Sequence, residues 1–171
     1  MDVKGSCRGI MAWRFGLLRP PIYVLLLLLT LVPAMARYSV GDVVEVMFPE
    51  PGFIGSYFLA TIIYLLGDAE VYIEFHQLLT PTGSRLLRDV IRVEHIRPLA
   101  PFIARMEYGL YDLVDVFVND GWWTGRVIDV SGVDGYYEIF FEMYNEVSYN
   151  VNYEMRPHLD WENNRWVGFL G

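Results

Sequence analysis

Four blocks of residues occur twice in this chain, in the same order. Val40-Gly41-Asp42-Val43-Val44-Glu45-Val46 is matched by Tyr111-Asp112-Leu113-Val114-Asp115-Val116, and Tyr57-Phe58-Leu59-Ala60-Thr61-Ile62-Ile63 by Trp122-Trp123-Thr124-Gly125-Arg126-Val127-Ile128. Val71-Tyr72-Ile73-Glu74-Phe75 is matched by Tyr137-Glu138-Ile139-Phe140-Phe141, and His95-Ile96-Arg97-Pro98 by Glu154-Met155-Arg156-Pro157. The loops between the blocks differ in length, while the blocks keep their order. That is the signature of a tandem duplication, so whatever one copy folds into, the chain must contain it twice.

Each copy reads as short strands. Val43–Phe48, Tyr57–Leu66 and Ala69–Phe75 are rich in β-branched and aromatic residues, and Glu50-Pro51-Gly52 and Gly67-Asp68 punctuate them. Arg85–Val90 pairs back after the polar tip Thr80–Ser84, and Pro98 closes the copy in extended geometry. In the second copy Asn119-Asp120-Gly121 is a hairpin signal. Strands at Trp122–Val130, Tyr136–Tyr144 and Asn145–Glu154 follow it. No segment after Arg37 shows a sustained helical period. A unit of about 60 residues built this way is expected to be a small twisted β-barrel, marginal alone and stabilised by docking on its twin. The divisions are 1–36 as leader, 37–100 as first unit, 101–110 as connector, 111–161 as second unit and 162–171 as tail.

The leader has its own character. Basic residues precede the apolar run Ile22–Val32, and Ala34-Met35-Ala36 follows as a small-x-small pattern. It reads as a hydrophobic leader helix, either a signal peptide or a signal anchor, that would touch a membrane only if uncleaved. A start at Met1 or Met11 retains it, and a start at Met35 removes it. Of the 13 basic and 21 acidic residues, the leader holds four and one. Residues 37–171 therefore carry nine arginines, no lysine and twenty acids, for a net charge of −11. A body this acidic disfavours direct nucleic-acid binding and favours a basic partner such as a cationic peptide. The one cysteine, Cys7, lies in the leader, so the body forms no disulfide, which points to a reducing compartment.

The residues offer little for catalysis. His76, His95 and His158 are scattered, no cysteine nucleophile follows Arg37, and no histidine or cysteine cluster has zinc spacing. No glycine-rich phosphate loop precedes a helix. The reading is a non-enzymatic binding module with no catalytic residue, cofactor or metal.

Residues 38–161 resemble the tandem Agenet domains of plants, members of the Tudor-like Royal family. The marks are Val40–Val46, Gly55-Ser56-Tyr57-Phe58-Leu59-Ala60-Thr61-Ile62 and His95-Ile96-Arg97-Pro98 in the first unit. In the second they are Asn119-Asp120-Gly121-Trp122-Trp123-Thr124-Gly125 and Arg156-Pro157-His158-Leu159-Asp160-Trp161. The resemblance implies an all-β fold of two tandem five-stranded Tudor-like barrels. It also implies a chromatin reader that binds a basic, methylated-lysine segment such as a histone tail. Such readers use an aromatic cage, because a methylammonium keeps its charge, sheds water readily and is held by ring faces. Carried onto the first unit, the cage positions are Phe48, Phe58 and Phe75, with Glu50 and Glu74 adding negative charge; Leu78 stands where a fourth aromatic is usual. On the second unit they are Val118, Trp123 and Phe141, and because Val118 interrupts that set the first unit is expected to be the reader. The alternative is a structural or protein-interaction module without a cage, using the groove between the units and held in the secretory pathway or membrane by the leader. The resemblance points to the nucleus and the leader to secretion. Whether the three phenylalanines converge on an open pocket or lie in the core separates the two readings.

Overall fold

The computed structural model describes residues 38–104, 107–130, 135–151 and 154–168. The expected leader helix over residues 1–36 lies outside them. Ten strands in two sets of five run through the repeat blocks. The first set is β1 (Val43–Val46), β2 (Ser56–Leu66), β3 (Glu70–Leu79), β4 (Leu86–Arg92) and β5 (Ile96–Pro98). The second is β6 (Leu113–Val118), β7 (Gly121–Val130), β8 (Tyr136–Phe141), β9 (Glu146–Val151) and β10 (Met155–Pro157). A short hairpin, β11 (Asp160–Glu162) with β12 (Arg165–Val167), ends the described chain.

Strand alternation builds each core. Successive side chains point to opposite faces, so Phe58, Ala60 and Ile62 of β2 and Val71, Ile73 and Phe75 of β3 share one buried side. The second unit repeats this with Val114 and Val116 of β6, Val127 of β7 and Ile139 and Phe141 of β8. The β6–β7 connection is the hairpin read from Asn119-Asp120: both residues take positive φ, 49° and 64°, as a two-residue turn of right-handed twist requires. Tyr144, expected at a strand end, instead sits in the turn between β8 and β9, where Asn145 takes φ 53°.

The five-strand count per unit and the all-β class match the expectation, but the sheets do not close into barrels. In the first unit the ladder runs β5-β1-β2-β3-β4, all antiparallel, and among the described residues no ladder joins β4 to β5. A one-turn 3-10 helix, Val93–His95, carries the chain across that side. The second unit has the same open order. The start of β2 is used elsewhere: Ser56 and Tyr57 pair with Trp123 and Trp122 of β7, fusing both units into one ten-stranded sheet.

Candidate functional site

The junction between the units holds a buried ionic knot that carries the duplication's own symmetry. Glu45 of β1 and Asp115 of β6 occupy equivalent positions in the repeat, as do Arg97 of β5 and Arg156 of β10. Each arginine binds the carboxylate of its own unit: Arg97 Nε donates to Glu45 at 2.8 Å and Arg156 Nε to Asp115 at 3.1 Å. Each also reaches across. Arg156 makes a two-pronged contact with Glu45 at 2.6 and 3.0 Å, and Arg97 lies 3.6 Å from Asp115. The guanidinium of Arg97 covers the Tyr57 ring at 3.3 Å and that of Arg156 covers the equivalent Trp122 at 4.2 Å. A contact in which i meets j and j meets i is the geometry of a two-fold dimer interface, here within one chain.

The symmetry breaks where the side chains differ. Asp115 is one methylene shorter than Glu45, and the cross-reach from Arg97 is correspondingly long. His158 and Thr124 complete Asp115 instead, with His158 Nδ1 at 2.6 Å and the Thr124 hydroxyl donating at 3.0 Å. Burial pushes the Asp115 carboxyl up, but the His158 hydrogen bond and the charges of His158, Arg156 and Arg97 outweigh it and hold the group below its ordinary value. Burial pushes His158 down, and its bond to Asp115, with the charges of Asp115 and Asp160, raises it above the ordinary histidine value. Trp166 of β12 packs on Trp161 at 5.1 Å and stands 5.0 Å from the Arg97 guanidinium, so the tail hairpin touches both units.

Beside this knot, aromatic rings run unbroken from the first unit into the second. Phe48 lies 5.6 Å from both Phe58 and Phe75, so the structure does bring the three expected first-unit residues together. Phe75 is fully buried and Phe58 is 2% exposed, so both rings belong to the core; Phe48 packs against that core, partly buried. Glu50 is exposed on the turn that follows β1. Glu74 points away from the rings, because it neighbours Phe75 along the strand; it pairs with Arg88 of β4 at 2.6 Å.

An open pocket with aromatic lining lies mainly in the second unit. Trp123 and Phe141, the two residues read there, line it together with Tyr144, Val118, Asn119 and Glu146, around ≈ 300 Å³. The Trp123 and Tyr144 rings meet edge to face at 5.1 Å and 69°. Phe141 itself is largely buried, whereas Trp123 and Tyr144 are only partly buried. Gly52, from the β1–β2 loop of the first unit, completes the rim. That loop is fastened in place: Phe53 stacks near Trp123 at 6.3 Å, the Tyr144 hydroxyl donates to the Ile54 carbonyl at 3.2 Å, and the Thr124 amide donates to the Gly55 carbonyl at 2.9 Å. Gly121 must lack a side chain, since a Cβ there would stand 2.8 Å from the Phe58 ring. Tyr144 had a signal in the sequence: it stands three residues after Phe141, where the first unit has Leu78 after Phe75.

Two further depressions, of ≈ 180 and ≈ 340 Å³, share Met47, Tyr57 and Asp160 and form a groove where the units meet. Glu94, Asp160, Glu162 and Glu142 supply its charge, partly offset by Arg126, which binds Glu142 at 3.0 Å. Among the described residues no cluster of histidine, cysteine or carboxylate side chains could hold a metal ion.

Comparison with known proteins places this geometry. The family model for the Agenet domain matches residues 41–101. Two Arabidopsis thaliana proteins are each 32% identical over 133 residues. AGENET DOMAIN (AGD)-CONTAINING P1 is matched over 78% of this chain and 26% of its own length. DUF724 domain-containing protein 3 is matched over 73% of this chain and 19% of its own length. The chain thus spans about a quarter or less of these relatives. The crystal structure of AGD34 from Arabidopsis thaliana AGDP1 superposes with a TM-score of 0.75 at 31% identity, covering 81% of this chain and 97% of that one. The tandem Agenet domain 3-4 of ADCP1 gives a TM-score of 0.71 at 30% identity, covering 80% and 92%.

Proposed function

Because the chain belongs to the Agenet family, a family of protein-interaction modules, we propose that it reads an extended basic peptide, of the histone-tail kind, that carries a methylated lysine. The methylammonium enters the pocket of the second unit. One observation carries this reading: Trp123 and Tyr144, with rings inclined at 69°, both line a small pocket with the Glu146 carboxylate at its edge. Tryptophan and tyrosine are the better cation–π partners, and each good contact is worth about 0.5–2 kcal/mol. The first-unit residues Phe48, Phe58 and Phe75 then act behind the site, as the packing that backs Phe53 and Trp123. The groove between the units, with four carboxylates, takes flanking basic residues of the same peptide.

Titration calorimetry with two synthetic peptides, identical but for an unmodified or trimethylated central lysine, tests the reading. The methylated form is expected to bind at least about ten-fold tighter, and Tyr144→Ala to remove that difference while the protein stays folded. Equal affinity for both peptides would refute the methyl-lysine reading and leave a cage-free interaction module.

A further inference from the structure

We propose that the outer edge of β9 is a strand-addition site. An extended basic peptide pairs with Glu146–Val151 through main-chain hydrogen bonds, and this pairing delivers its methylated lysine into the pocket. The inference rests on the pocket reading above and adds how the peptide backbone is held.

The pocket and the edge are continuous. Glu146, Val147 and Ser148, the first half of β9, form one wall of the pocket. Among the described residues β9 pairs with no strand but β8, so its other side is the free edge of the sheet, closed only at its end, where the Val151 amide donates to the Glu154 carboxylate at 3.5 Å. Natural edges are usually protected by lysine, proline or a bulge. β9 reads Glu-Val-Ser-Tyr-Asn-Val, has none of these, and keeps an unbroken register with β8. Val147 and Tyr149 are 49% and 66% exposed.

Side-chain alternation sets what an added strand would present. Glu146 and Ser148 stand opposite Phe141 and Ile139, both core residues, so they face the pocket side. Val147, which borders the pocket rim, and Tyr149 alternate to the opposite face of the strand. A peptide residue set opposite Glu146 or Ser148 therefore points toward the pocket. Its immediate neighbours lie alongside Val147 and Tyr149, which favours an apolar or β-branched residue next to the methylated lysine.

Charge selects the edge and the partner. The corresponding strand of the first unit, β4, carries Arg88 and Arg92 and follows Arg85, a poor template for a cationic chain. β9 has no basic residue, begins with Glu146, and lies against Glu138 of β8, which stands opposite Tyr149. A basic peptide is the partner that fits this edge.

The test uses three probes on the full chain: N-acetyl-trimethyllysine methylamide, a basic peptide of about ten residues with a central trimethyllysine, and copies of that peptide N-methylated at single backbone amides. The peptide is expected to bind at least about ten-fold tighter than the free amide, since main-chain pairing supplies affinity. N-methylation should weaken binding about ten-fold at alternate positions and little at those between. Amide exchange at alternate residues of β9 should slow on peptide binding. Tyr149→Lys should weaken the peptide about ten-fold by charge and leave the free amide unaffected, because its side chain faces away from the pocket. Tight peptide binding with no sensitivity to N-methylation and unchanged exchange in β9 would overturn the strand-addition site and leave the pocket reading intact. Protection of β9 by a peptide that shows no methyl preference would keep the edge site and remove the pocket from it.

Discussion

Replacing Arg156 by methionine tests whether the ionic knot joins the two units. The change keeps the length of the side chain and removes its charge. It deletes both bonds to Glu45, at 2.6 and 3.0 Å, and the bond to Asp115 at 3.1 Å. Glu45 has no exposed surface, so water cannot take the place of the lost donors. Its remaining partners are Arg97 at 2.8 Å and the Ala100 amide at 3.3 Å. Removing one partner of a buried pair costs about 3–5 kcal/mol, and here the two buried carboxylates, Glu45 and Asp115, are left with Arg97 and His158 as their charged partners. The stacking of Arg156 on Trp122 is partly kept by the thioether, so it adds little. For a body of this size each kcal/mol moves the melting temperature by about 3–5 °C, so the expected loss is roughly 10–20 °C.

The double variant Glu45→Gln with Arg156→Met separates coupling from simple damage. With both charges gone, Arg97 and Asp115 remain as a balanced pair. The double should be more stable than the sum of the two single losses by about 1–3 kcal/mol. Urea denaturation followed by tryptophan fluorescence measures all four corners of the cycle. A cost below about 1 kcal/mol for Arg156→Met, or additivity within about 0.5 kcal/mol, would refute the claim that the knot bridges the units.

Gly121→Ala drives a Cβ to within 2.8 Å of the buried Phe58 ring. The ring cannot swing into solvent, so a loss of about 1–3 kcal/mol is expected in thermal denaturation; an unchanged melting temperature would show that the two units are not in tight contact there. The knot also predicts a pH effect. The His158 pKa is raised in the folded protein, so its contribution to stability is complete below the unfolded value of 6.5 and is lost as pH rises through the folded value. His158 faces Asp115, Asp160, Arg97 and the Thr124 hydroxyl, and the two carboxylates favour its charged form. His158→Gln should remove the decline in stability above about pH 6.5, and a decline that survives the substitution would assign it to another group. Asp115 works in the opposite direction: its pKa is lowered, so its contribution is present above the unfolded value of 3.8 and is lost as pH falls through the folded value.

Much of the fold was legible because duplication and strand alternation are local signals. The Asn119-Asp120 turn and the buried faces of β2, β3 and β8 follow from residue types and a period of two. The pairing of Ser56 and Tyr57 with Trp123 and Trp122 was not legible, because it joins residues whose partners are set by how the two copies dock. The knot left a trace, an acid inside each valine-rich strand and an arginine before each closing proline. A strand residue beside a turn reads as solvated until its partner from the other copy is placed. Phe58 and Phe75 show the limit from the other side. The family resemblance puts them at cage positions, but a resemblance does not report whether a ring face meets solvent, and here both are buried among neighbouring rings.

The two copies have diverged at the positions that decide whether a pocket opens. Phe48 in the first copy corresponds to Val118 in the second, and Leu78 corresponds to Tyr144. In the first copy the larger Phe48 stacks on Phe75 at 5.6 Å and occupies the space between the strand ends. In the second, the smaller Val118 leaves that space open, and Tyr144 lines it. The residue that breaks the aromatic set in the sequence is thus one that makes room in the structure. The first copy still takes part, since Gly52 supplies rim and Phe53 and Ile54 hold Trp123 and Tyr144 in position. The first unit supplies part of the rim and holds the aromatic side chains in place, so loosening the junction by Arg156→Met should weaken methyl-peptide binding even though the substitution lies outside the pocket.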